Sequence, residues 1–268
     1  MLAEKYFPKG SPRYKAFIDP FKKLDGFFSL NPERWFSLWT IILAGANTAG
    51  HLENRWLYWE WSTFSYLFIP ILVFSTWLDR YLDKFSLFSK NVDSIQSAIS
   101  ILLRGSVFFI LGMIPVGFNY LFFIYGIPYL IFFLVGYMVW SIQIDTEEKS
   151  VPSKASMAPI LLTITLLTVF VSIVGYFNDD PMISTIAAVY TPFPLVALIF
   201  PPAIRHIQRC RMHVVFIPAM FLSVRFPWLL IMVTLLFWIC LLYTSPSPRD
   251  QRGSGFRACA LKKKRGGG

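Results

Sequence analysis

Four polar side chains stand where chemistry inside a membrane would be done: Asn47, His51, Glu60 and Arg225, each within or beside a long apolar segment of this 268-residue chain. Hydrocarbon makes such groups expensive, so those retained there mark ion paths, proton relays or ligand sites. Arg225 falls 13 residues into the last apolar segment, about 20 Å along a helix axis. At that depth a guanidinium needs an acidic partner or a water-filled cavity, and Glu60 is the only acid in the segments at comparable height. Glu60 and Arg225 are therefore expected to face each other or to share one cavity, with His51 nearby and Asn47 in the distal half of the first segment. The alternative puts Glu60 among lipid headgroups beside Tyr58, Trp59 and Trp61, an aromatic belt, while Arg225 snorkels. His51 with Glu53 supplies two metal ligands at most, too few for a site, and no cofactor is expected.

The elements that must position these groups are seven apolar segments, residues 35–52, 57–78, 105–125, 127–144, 157–177, 182–204 and 212–239. Each approaches the roughly 20 residues that a helix needs to cross about 30 Å of hydrocarbon. Residues 105–144 contain no charge, and a helix of that length would be about twice a bilayer. The chain must turn within them, and Asn119, Tyr120, Gly126 and Pro128 place the reversal between Asn119 and Pro128. The expected fold class is all-α: a polytopic helical membrane bundle of about seven transmembrane helices.

Basic residues alternate with these segments. Sixteen Lys and Arg lie in the N-terminal segment and in every second connection, whereas the other connections hold Arg55 alone. Retention of cationic loops puts the N-terminus on the cytoplasmic side. Asp19-Pro20 caps a short amphipathic helix with Phe21, Leu24 and Phe28 on one face, and Asn31-Pro32-Glu33 launches the first span. Asp93 similarly caps a second interfacial helix carrying Ile95, Ala98, Ile99 and Leu102. Pro192, Pro194, Pro201, Pro202, Pro218 and Pro227 predict bent or broken helices in the last two spans. Gly105, Gly112, Gly117, Gly126 and Gly136 predict close helix contact.

Residues 240–250, CLLYTSPSPRD, are what a transposase-type sequencing adapter encodes, and the terminal KKKRGGG is what a run of A followed by a run of G encodes. Residues 240–268 are accordingly read as non-native, against the alternative of a basic tail for nucleic acid or anionic lipid. The expected organisation is 1–34 as a basic cytoplasmic segment, 35–239 as the transmembrane domain and 240–268 as adapter-derived. The whole chain has a formal net charge of +10, but the part before residue 240 has 18 basic and 14 acidic residues, or +4. That charge calls for no nucleic-acid partner; the partners expected are the lipid bilayer and other membrane proteins. Cys210, the one cysteine before residue 240, allows no internal disulfide and is read as an unmodified juxtamembrane thiol rather than a palmitoylation site.

Several activities are excluded. The spans contain no Lys for a retinal Schiff base, and three His cannot form a histidine box. No nucleophile elbow or phosphate loop occurs, and Asn178-Asp179-Asp180 is too short for a prenyl-diphosphate motif. No internal repeat is evident. Three functions stay open: a small-solute or ion transporter or channel, with its path near Asn47, His51, Glu60 and Arg225; a lipid-handling membrane enzyme; and a noncatalytic membrane scaffold or subunit.

Overall fold

Helix after helix follows from apolar runs punctuated by Pro, Gly and short polar caps. The computed structural model describes residues 32–50, 66–85, 92–142, 154–200 and 204–228, and Ser11, Pro12, Trp56, Trp59, Leu230 and Thr234 singly. Among these every regular element is α-helical. They are α1 (Pro32–Gly50), α2 (Phe68–Leu82), α3 (Ile95–Met113), α4 (Tyr120–Tyr125), α5 (Ile127–Ser141), α6 (Lys154–Phe177), α7 (Pro181–Tyr190), α8 (Pro192–Ile199) and α9 (Ile204–Arg225). The interfacial helix expected after Asp19, the adapter-like tail, His51, Glu53 and Glu60 lie outside the described residues.

Among the described residues three helical stretches are long and apolar enough to cross a membrane: Ile95–Met113, Ser156–Phe177, and Pro181–Ile199, which is α7 and α8 taken together. α5 is apolar but shorter. α2 has 15 residues, about 22 Å at 1.5 Å per residue, and α9 carries Arg205, Arg209 and Arg211 near its start.

Four local expectations are corrected. The segment after Asp93 is no separate interfacial helix, because α3 runs unbroken from Ile95 to Met113. Its cap is Ser94, whose side chain accepts the Ser97 N–H in a reciprocal capping box. Gly105 does not interrupt it, since its lack of a side chain makes room for the Phe133 ring. The chain leaves α3 at Met113, before Asn119, because Pro115 has no N–H to continue the helix and Gly117 adopts φ 130°. Asn119 then caps α4, and Gly126 keeps helical angles between α4 and α5. The second span does not begin at residue 57: Trp59 has φ 68° and α2 starts at Phe68. The last span begins early, with Arg205, Arg209 and Arg211 inside α9 rather than in a connection, because nothing between Ile204 and Met212 breaks a helix. By contrast, α1 starts at Pro32 and the sixth segment is divided at Thr191, immediately before Pro192, both as the sequence predicts.

Residues 31–233 form one compact unit. Its tightest crossing is α1 against α3, where a side chain at Gly45 would strike the Phe109 carbonyl and one at Gly112 the Ile42 carbonyl. α6 and α7 form a hairpin in which Gly175 lies against the Ser184 backbone and Ser172 Oγ donates to the Ser184 carbonyl at 3.0 Å. Outward-facing positions are apolar too: Leu162, Leu166, Phe170 and Ile173 of α6 are exposed. Phe74, Trp77 and Tyr81 of α2 and Phe85 just beyond it form an exposed ladder of ring contacts.

Candidate functional site

Asn47 lies near the end of α1 and is 2% exposed. Its Nδ2 donates to the Tyr129 hydroxyl at 3.0 Å. Tyr129, in the first turn of α5 behind Pro128, donates in turn to the Asp180 carboxylate, 3.0 Å from Oδ2 and 3.2 Å from Oδ1. Asp180 is placed by its own capping chemistry: Asp179 takes φ 52° to turn the chain, and Asp180 caps α7 ahead of Pro181. Its Oδ1 accepts the Met182 and Ile183 N–H groups at 3.0 and 3.3 Å. Arg225, at the end of α9 and 1% exposed, acts on Asp180 as a nearby positive charge.

The result is a chain of carboxamide, phenol and carboxylate beside a guanidinium, drawn from four elements at one end of the bundle. Burial pushes the Asp180 carboxyl above its ordinary range, against the opposing pull of the Tyr129 and Ile183 hydrogen bonds, Arg225 and the Met182 N–H. Asn47 Oδ1 is buried and accepts no hydrogen bond among the described residues. Ser37, Thr40, Ile41 and Ala44 of α1, at helical i, i+3, i+4, i+7 spacing, line a cavity of about 30 Å³ with Tyr129 and Val214. Asn47 and Thr48 continue that stripe.

The sequence-derived candidates divide cleanly. Asn47 and Arg225 belong to this cluster; His51 and Glu60 lie outside the described residues. Tyr129 and Asp180 are additions. Asp180-Pro181 was legible as a helix cap, but nothing in an aromatic-rich chain distinguishes Tyr129.

A second charged cluster ties α2 to α3. Arg104, halfway along α3 and fully buried, donates through Nε to Asp79 Oδ1 at 2.9 Å and through Nη2 to Asp83 Oδ1 at 2.8 Å. Nη2 also reaches the Asp79 carbonyl at 3.0 Å. Asp79 and Asp83 are four residues apart, which puts both carboxylates on one face of α2; that spacing was the available signal. Charges buried this deeply are kept only when paired.

At the break between α7 and α8, Thr191 Oγ1 donates to Thr168 Oγ1 at 3.1 Å and the buried Tyr190 hydroxyl donates to the Cys210 carbonyl at 3.3 Å. His213 stacks on Phe193 with ring centroids 4.1 Å apart. Cys210 is fully buried, consistent with an unmodified thiol. Among the described residues no three His, Cys, Asp or Glu side chains converge as a metal site. The chain matches no protein-family model, and no curated protein or solved structure is significantly similar to it.

Proposed function

We propose that this chain is a multi-pass membrane protein of seven spans with a cytoplasmic N-terminus, and that it passes a small solute or ion through the end of the bundle carrying Asn47, Tyr129, Asp180 and Arg225. The observation that supports it most is the buried relay itself. Capping alone accounts for Asp180, but a bundle that needed only to pack would not set Asn47, Tyr129 and Arg225 beside it, because buried polar and charged groups are costly unless each is fully satisfied. His51 and Glu60 belong to the same outer end on sequence grounds, and we include them in the path.

The test is reconstitution of the full chain in liposomes. Osmotic swelling in glycerol and in potassium acetate, and proton entry read by an entrapped pH dye, are compared with empty vesicles. Faster entry of at least one species, reduced by Asn47→Leu, is expected; traces identical to empty vesicles for all three would refute the proposal. A tag at Met1 and an accessibility probe at Asp179 should report opposite faces.

Two observations favour a second function, that of a noncatalytic subunit. The cavity beside Tyr129 is small, and α2 with the turn after it exposes four aromatic rings in one row. Inert vesicles together with stable co-purification of another membrane protein would favour it.

A further inference from the structure

We propose, resting on the transport function above, that the species handled is the proton and that Asp180 Oδ2 is the atom that takes it up.

Cavity size limits the cargo first. The space between α1, α5, α7 and α9 measures about 30 Å³, room for one or two waters and for no organic solute. Every polar member of the relay carries or accepts an exchangeable proton, so a proton needs no wider path than the hydrogen bonds themselves.

The carboxylate is asymmetric in the way such a role requires. Oδ1 is held by two backbone N–H groups of α7, whereas Oδ2 has Tyr129 as its hydrogen-bond partner among the described residues. A proton arriving from the outer solution forms an O–H bond at Oδ2 and leaves the helix cap on Oδ1 intact. That new O–H then donates to Tyr129 Oη, so the phenol must aim its own O–H elsewhere.

Asn47 supplies the acceptor. Its Oδ1 is buried with no hydrogen bond among the described residues, on the same side chain whose Nδ2 touches Tyr129. Rotation of the carboxamide brings Oδ1 to the phenol and turns Nδ2 away. The chain thereby runs from Asn47 to Asp180 when the carboxyl is ionised and from Asp180 to Asn47 when it is protonated. One proton is gained, no heavy-atom bond changes, and loss of the proton restores the first arrangement. The groups facing the carboxyl are Tyr129 of α5 and Arg225 of α9, with Asn47 of α1 behind the phenol and Asp179 exposed next to it in the turn.

Infrared difference spectroscopy on the purified full chain, from about pH 4 to pH 8, tests the uptake directly through the C=O stretch of a protonated carboxyl. A band that titrates in this range, disappears in Asp180→Asn and persists to higher pH in Tyr129→Phe is expected, because the phenol hydrogen bond favours the ionised form. Asn retains capping ability, so Asp180→Asn should fold. Absence of such a band, or one unmoved by both substitutions, overturns the assignment. If the band behaves as stated but vesicles admit no protons, uptake at Asp180 stands and transport fails. If vesicles pass potassium or glycerol without the band, transport stands and the proton assignment fails.

Discussion

Alanine at Gly45 and at Gly112 should each loosen the bundle, and together they should cost less than the sum of the two. At Gly45 an added Cβ would lie 2.9 Å from the Phe109 carbonyl carbon, and at Gly112 2.7 Å from that of Ile42, with the carbonyl oxygens nearer still. Ordinary carbon contacts are about 3.5–4.0 Å, so α1 and α3 must separate by at least about 0.6 Å to admit either methyl. The obstruction is backbone and cannot rotate away, which places each substitution near the upper end of the roughly 1–3 kcal/mol of overpacking. Alanine's better helix propensity returns up to about 1 kcal/mol, leaving a net loss of about 2 kcal/mol each, some 30-fold in the unfolding constant. The second methyl enters a crossing that the first has already opened, so the double variant should lose about 2–3 rather than 4 kcal/mol, within the coupling seen for neighbours. Gly136→Ala is the control, because its Cβ would lie 3.9 Å from Val214 Cγ2, ordinary contact, and it should be neutral or stabilising. Reversible unfolding of the detergent-solubilised chain followed by circular dichroism measures all four. Single variants within about 0.5 kcal/mol of the parent, or full additivity, would refute the close crossing.

Four further outcomes follow from the two charged clusters. Arg104→Leu strands the Asp79 carboxylate and should cost about 3–5 kcal/mol, whereas Asp83→Asn keeps the Asp79 pair and should cost far less; monodisperse yield on size exclusion separates them. Tyr129→Phe removes the partner of Asn47 and of Asp180 at once and should lower stability by about 1–3 kcal/mol, read as a fall in Tm. Because the folded state holds the Asp180 proton more tightly than the unfolded chain, its contribution is fully present below about pH 3.9, the unfolded carboxyl value, and is lost as pH rises through the folded value. Asp180→Asn should flatten that part of the stability profile. Arg225→Met and Glu60→Gln, made singly and together, should show non-additive losses of folded yield if the two side chains share a cavity; simple addition would exclude the pairing.

What could be read in advance was set by local chemistry, and what could not depended on tertiary partners. Pro32 behind Asn31 starts α1, and Pro192 divides the sixth segment, because a missing N–H acts on the nearest turn whatever surrounds it. Gly105 was legible as a site of close helix contact, and the Phe133 ring fills the space its missing side chain leaves; which ring it would be depended on the partner helix. Arg104 was counted as a loop charge for the same reason, since its suitability for a helix interior rests on Asp79 and Asp83, 25 and 21 residues earlier. At the candidate site, depth along a helix was enough to select Asn47 and Arg225. Tyr129 needed a contact across 82 residues to Asn47 and 51 to Asp180.

The two clusters also differ in what they can do when conditions change. Arg104 is clamped by two carboxylates and a backbone carbonyl, and a buried guanidinium is kept only while such partners compensate it. Such a group is a fixed tie between α2 and α3. The Asp180 cluster carries one carboxylate, a phenol able to donate in either direction, and a carboxamide oxygen with no hydrogen bond among the described residues. Its protonated and ionised forms can both be hydrogen-bonded, so neither form strands a buried polar group. If the proposed proton uptake holds, the Arg104 cluster is the part that keeps its shape and the Asp180 cluster the part that responds to pH.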